Sequence, residues 1–257
     1  MSEPLVTLDV DAGVAVLELH RPQRRNAVSP ALADELERAV AGLAGDGDAR
    51  VVVLAGSGPS FCAGADMTER LAGPEQSAGV FQAVRRCSLA VHSIGIPVVA
   101  ALHGHALGAG LELAAMSDYR IAEQGTLLGI PEVHQGITSG GGILALASLV
   151  GRGALARLAY GGARIEAAEA HALGVVDEVV APGQARERAL EVARGFATSA
   201  RAALVATKTA LRAATAPHHD AQWQLLGLLQ QTMEGGPAQR EAVERLRSER
   251  SARQRLD

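Results

Sequence analysis

The chain has 257 residues, of which 48% are hydrophobic and 20% charged, enough for one large buried core or a core with a helical appendage. Aromatic residues make up 2%, so that core has to be built from Ala, Val, Leu and Ile. The formal charge of −4, from 24 basic and 28 acidic residues, excludes the electrostatic footprint of a nucleic-acid binder.

Residues 5–10 and 14–19 are strand-like runs around Asp11-Ala12-Gly13, a hairpin signal. Ser29-Pro30 reads as the N-cap and first residue of a helix, with Asp34 and Glu35 near its start and Leu32, Leu36, Val40 and Leu43 as its apolar stripe. Val51–Ala55 is a buried strand that runs into the loop GSGPSFCAGAD, and a second helix is expected over 76–93. Pro97–Leu102 is another buried strand, followed by His103-Gly104-His105 and a Gly/Ala-rich helix start at 108–110. Tyr119–Ala122 forms a third short strand. Strand, glycine loop and helix therefore recur, which favours an α/β fold. From about residue 143 the chain reads as mostly helical. Gly174 suits the C-cap of a helix over 166–173, releasing Val175–Val180 as an extended segment. Residues 184–255 read as three or four helices, interrupted at Pro217 and Pro237.

Cys62 and Cys87 form neither a disulfide framework nor a zinc spacing, which fits a reducing, cytoplasmic compartment. Buried free cysteine is ordinarily a small hydrophobe. His103 and His105 lack a third metal ligand, so no metal is expected. The N-terminus lacks the basic-then-apolar order of a signal peptide, and the apolar runs are broken well before spanning length. A soluble protein with no membrane partner is expected. Lys208 is the one lysine, which confines any Schiff-base chemistry to that position.

Three segments carry chemistry. Ser60–Asp66 ends a strand in small residues that leave backbone amides bare, although most glycine loops are mere connections. In Gly104–Ala114 a helix opens on Gly-Ala-Gly, aiming unsatisfied N–H groups and the positive dipole end at an anion or a developing oxyanion. Glu112 follows one turn later among Leu, Ala and Met, where a carboxylate is costly to bury unless partnered. The ordinary alternative is a solvent-facing Glu. In the third segment, Gly129–Gly142, Pro131 biases Ile130 away from helix and puts Glu132 on a turn or helix entry. A carboxylate that merely complements a helix dipole is the alternative there.

In combination, GHALGAGLELA, SDYRIA, the Pro131-Glu132 pair and the following glycine cluster resemble the enoyl-CoA hydratase/isomerase (crotonase) family. FCAGAD, the early Arg21-Pro22…Asn26-Ala27-Val28-Ser29 and the later Ala168…Ala172-Leu173-Gly174-Val175-Val176-Asp177 match in order, so the resemblance covers about residues 5–215. It implies a spiral of repeated β-β-α units over 1–195 and a C-terminal helical trimerisation region over 196–257, in a homotrimer or dimer of trimers. It implies Glu112 and Glu132 as the catalytic acids and the Ala65 and Ala109 amides as an oxyanion hole. Arg24, Ala63, Ala65, Asp66, Met67 and Ala109 are implied along the coenzyme A path, with Arg25 as a second phosphate contact. The substrate is then an acyl-CoA thioester, with no metal or redox cofactor. Because both acids are retained, hydration of a 2-trans-enoyl-CoA is the expected reaction. Isomerase or other acyl-CoA lyase or hydrolase chemistry is the alternative on the same scaffold, and idle acyl-CoA binding the alternative outside enzymes. Ser139-Gly140-Gly141-Gly142-Ile143-Leu144 departs from the family's Pro-Gly-Ala-Gly-Gly-Thr-Gln-Arg-type run, and His134 and Gln135 stand where relatives are commonly apolar.

Overall fold

The structure, a computed structural model, describes residues 3–215 and 219–253. Its first hairpin is β1 (Val6–Asp11) and β2 (Val14–Leu19), antiparallel with Asp11 opposite Val14. The two turn residues between them, Ala12 and Gly13, both have positive φ (48° and 82°), the backbone of a tight turn whose twist suits a hairpin. Helix α1 (Pro30–Gly45) starts where Ser29 accepts a hydrogen bond from the Leu32 amide, and its expected stripe of Leu32, Leu36, Val40 and Leu43 is buried. Next come β3 (Val51–Gly56), the short α2 (Met67–Arg70), α3 (Pro74–Ser93) and β4 (Val98–Leu102). They are followed by β5 (His105–Leu107), α4 (Ala109–Ala115), β6 (Tyr119–Glu123) and β7 (Leu127–Gly129).

A 3₁₀ turn at Pro131–Gln135 leads to α5 (Gly140–Ala147), α6 (Arg152–Gly161), β8 (Arg164–Glu166) and α7 (Ala167–Ala172). The chain ends in β9 (Glu178–Val180), α8 (Ala185–Ala197), α9 (Arg201–Thr215), α10 (His219–Met233) and α11 (Pro237–Arg253). Pro237 opens a helix as expected; Pro217 lies outside the described residues.

The main sheet has the order β1-β2-β3-β4-β6-β9, parallel except for the opening hairpin. Its strands alternate cleanly between two cores, as a period of two requires. Leu17, Leu19, Val52, Leu54, Ala100 and Leu102 face α1 and α3. Val14, Val51, Val53, Val99 and Ile121 face α8, which offers Ala185, Ala189, Ala193 and Ala197 at four-residue spacing. Small alanines let that helix lie close on the sheet.

A second sheet, β5-β7-β8, was not foreseen. Its three-residue strands are too short to show a periodicity, and β8 falls in a stretch read as helical. The extended segment expected at Val175–Val180 is a strand only over Glu178–Val180, while Gly174 takes the positive φ of 84° expected of a residue closing α7. This second sheet carries the functional loops. Cys62 donates to His105 O and accepts from the Leu107 amide, so the FCAGAD segment runs beside β5.

Candidate active site

Asn26 assembles the first wall of the site. Fully buried and with φ of 55°, it donates from Nδ2 to the carbonyls of Ser57, Ser60 and Phe61 at 2.8–3.1 Å and accepts from the Arg21 amide. One side chain thereby clamps the Arg-Pro…Asn segment onto the glycine loop. The loop is held further by Val28 N to Gly64 O and Asp66 N to Val28 O, each 2.8 Å. Those bonds use the amides on either side of Ala65 and turn the Ala65 N–H the other way, as parallel pairing demands. Gly64 supports that path with φ of +105°, and a Cβ there would lie 3.9 Å from the Ala109 amide nitrogen.

Ala109 is the first residue of α4, so its amide has no intrahelical acceptor. Among the described residues, neither the Ala65 nor the Ala109 amide donates to a protein acceptor. Two bare amides on adjoining segments can clasp one oxygen that becomes negative.

Glu112 projects from the same helix and is 5% exposed. Its Oε1 accepts a 2.5 Å hydrogen bond from Ser88 of α3, and a Cβ on Gly141 would stand 2.1 Å from that oxygen. Glycine at 141 lets the carboxyl lie directly against the start of α5. Burial drives the Glu112 pKa up to about 8; Ser88 and the Gly142 amide oppose the rise and the nearby Glu132 charge adds to it. Ser88 also lies 3.0 Å from the Val84 carbonyl, which can only accept. When its single proton is given to Val84, its oxygen can accept one from protonated Glu112.

Glu132 enters on the 3₁₀ turn that Pro131 begins. Its Oε1 sits against the start of α4, since a Cβ on Gly108 would be 2.7 Å away. The residue is half-buried, but its Oε2 atom is fully enclosed and has no hydrogen-bond partner. Burial raises the Glu132 pKa to about 7 against its own amide, the Arg70 charge and Ser139. Arg70, buried in α2, is bonded to Gln135 Oε1 at 2.9 Å and ion-paired at 2.5 Å with Glu234 in the turn after α10. Gln135 therefore ties the Glu132 turn to that pair.

The remaining expected contacts divide. Arg24 is exposed and donates to Thr68 Oγ1 at 3.1 Å, and Arg25 is exposed beside it with φ of 49°. Ala63 and Met67 are partly open along the same edge. The Asp66 carboxylate is already committed. It caps α2 through the Thr68 and Glu69 amides and pairs with Arg21 at 2.6 Å, bonds that outweigh burial and hold its pKa below the usual value. It shapes the loop instead of offering a free side chain.

Cys62 is buried, with its thiol pKa pushed to about 12 by burial, which removes nucleophilic character. No group of three His, Cys, Asp or Glu among the described residues could hold a metal. Lys208 is a structural staple, donating to Ile96 O at 2.9 Å and Asp118 Oδ2 at 2.6 Å. Ser88 and Arg70 escaped the sequence reading. Their signal was a serine and an arginine on otherwise apolar helix faces, which marks burial without naming a partner.

The chain matches the profile of the enoyl-CoA hydratase/isomerase family over residues 9–244. It is 36% identical over 201 residues to a Bacillus subtilis protein described as a putative enoyl-CoA hydratase/isomerase, covering 77% of each chain. It is 34% identical over 213 residues to a short-chain-enoyl-CoA hydratase of Clostridium acetobutylicum, covering 80% of each. The crystal structure of an enoyl-CoA hydratase/isomerase from Mycobacterium paratuberculosis aligns with a TM-score of 0.85 at 26% identity, over 95% of this chain and 98% of that one. On the matched profile, the ordered motifs and the shared spiral fold, this chain is a member of the enoyl-CoA hydratase/isomerase family.

Proposed function

We propose that this protein hydrates 2-trans-enoyl-CoA thioesters reversibly to 3-hydroxyacyl-CoA. The observation that carries the reading is the convergence of Glu112 and Glu132 on the mouth of α4, beside the bare amides of Ala65 and Ala109. Their pKa values, about 8 and about 7, leave the pair near neutrality with both a proton to give and a site to accept one. Water addition needs both at once. The thioester oxygen accepts from the Ala65 and Ala109 amides, and these stabilise the enolate that forms when water attacks the β-carbon. One such donor is worth about 3 kcal/mol.

Arg24, with Arg25 next to it, offers positive charge to the phosphates of coenzyme A at the open edge of the site, while Ala63 and Met67 flank the pantetheine path. No metal or redox group has a role in this scheme. The assembly belongs to the same reading: a homotrimer, or a dimer of trimers, built through the C-terminal helices from about residue 196. Leu225, Leu228 and Leu229 of α10, each about half exposed or more, support it. A reducing, cytoplasmic location is consistent with two free buried cysteines, and no helix among the described residues is long and apolar enough to cross a membrane.

A substrate panel tests the reaction. Wild type should hydrate crotonyl-CoA, and Glu132→Gln should lower kcat roughly 10²–10⁴-fold. Turnover of a 3-enoyl-CoA with none of crotonyl-CoA would replace hydratase by isomerase. Thioester binding without any turnover that depends on these acids would make the chain a binder.

A further inference from the structure

A small cavity lies beside Glu112. Phe81, Val84 and Arg85 of α3 line it, seven, four and three residues before Ser88 and therefore on the same helical face. Ser88 holds Glu112 Oε1, so this stripe runs from the acid along α3. Trp223 and Gly227, four residues apart on α10, line the cavity as well. Phe81 and Trp223 are both buried. The space left among these side chains is about 20 Å³, room for one water- or methyl-sized group.

Helix α10 is pinned where it lines this cavity. Gln230 Oε1 accepts from the Gly140 amide at 3.2 Å, and a Cβ on Gly140 would stand 3.0 Å from the Leu226 carbonyl oxygen. Two successive glycines of α5 thus admit two neighbours, Gly140 the backbone of α10 and Gly141 the carboxyl of Glu112. Gly227 has a different cause. Glycine inside a helix is unfavourable relative to alanine, yet the atoms nearest a Cβ at 227 would be those of the Arg85 guanidinium, at an ordinary 3.7 Å. No crowding demands glycine there; what the missing side chain leaves is room in the cavity. Arg85 Nε is buried with no hydrogen-bond partner among the described residues, so a hydrocarbon laid on it would cover a donor that it cannot satisfy.

From these observations we propose that the cavity takes the γ-carbon of the acyl group and ends there, which makes the preferred substrate a four-carbon 2-enoyl thioester. Trp223 and Arg85 form the end wall, and Gly227 leaves the room for the terminal methyl. The inference rests on the hydratase reading, in which Glu112 flanks the reacting carbons. With the β-carbon beside that acid, the next carbon enters the cavity against Phe81 and Val84. A fifth and a sixth carbon have to displace the indole or cover the guanidinium. Trp223 and Gly227 lie past the motifs that carry the family resemblance, which end near residue 215, so this limit belongs to the present chain.

The test measures hydration of trans-2-enoyl-CoA thioesters of three, four, six and eight carbons. In wild type kcat/KM should peak at four carbons and fall about tenfold or more at six, the discrimination that added methylenes meet in a fitted pocket. Gly227→Ala keeps the helix, since alanine suits a helix interior and its methyl finds only ordinary contacts. It should lower the four- to three-carbon ratio of kcat/KM about tenfold. Trp223→Leu, which keeps an apolar side chain in place, should raise the six- to four-carbon ratio about tenfold. Ratios taken within one protein cancel any general loss of folding or catalysis. A wild-type profile that is flat or rises beyond four carbons, or either ratio unmoved in its folded variant, overturns the short-chain limit and leaves the hydratase reading standing. No hydration at any length overturns both.

Discussion

Glu112 is a carboxyl kept where its charge is least welcome, and the consequence reaches stability as well as chemistry. Its folded pKa of about 8 lies above the ordinary glutamate value of about 4.3, and that of Glu132, about 7, does too. Between those limits the native state binds more protons than the unfolded state, so stability falls as pH rises. The full contribution is present below about pH 4 and is lost once pH has passed the folded values. Wild type should therefore lose on the order of a few kcal/mol between pH 5 and 9, and Glu112→Gln should lose clearly less. Thermal or urea unfolding across that range is the check; identical slopes would mean that Glu112 is not held protonated by burial. Both acids could be named from the sequence only through the family resemblance, because each taken alone reads as an ordinary solvent-facing or helix-start carboxylate. Ser88 was not legible, because a helix-borne serine gains its role only from the carboxyl that another element brings to it.

At the scale of elements, the C-terminal helices do more than extend the chain. Helix α10 packs on α5, and its Gln230 accepts from the Gly140 amide at the very start of that helix. The turn after α10 closes on the site through Glu234, which pairs with Arg70 and accepts from Ser77 and Gln239. The Arg70 and Glu234 side chains are 6% and 8% exposed, so removing one partner strands a buried charge. Glu234→Ala should cost about 3 kcal/mol by chemical unfolding and weaken hydration through the Gln135 link, whereas Arg70→Met with Glu234→Leu should be less harmful than Glu234→Ala alone. A Glu234→Ala variant with unaltered stability and turnover would show that the pair supports neither the fold nor the site. The long elements were readable from pattern, with α1 and β4 found nearly to the residue. Strands β5, β7 and β8 were not, since three residues carry no period and their pairing is decided by distant neighbours. The reading of the C-terminal stretch as helical holds over the described helices α9 to α11, but pattern could not say that α10 lies over α5.

For the molecule as a whole, the spiral of strands and helices matters because it lays two glycine loops and two helix starts edge to edge. Residues 26, 65, 109 and 132 are far apart in sequence and meet only when β5 pairs with Cys62 on one side and β7 on the other, while Val28 pairs with Ala65. That convergence was available from the sequence through resemblance alone; composition and periodicity reach no further than an α/β fold with helices at its end. The central claim is that one thioester oxygen is clasped by the Ala65 and Ala109 amides while Glu112 and Glu132 flank its α- and β-carbons. A crystal structure with a bound, non-turning acyl-CoA analogue measures this directly. The expected result is the thioester oxygen within about 3 Å of both amide nitrogens, with both carboxyls on the acyl carbons. A thioester bound with its oxygen turned away from those amides, or with either acid swung out to solvent, would contradict it.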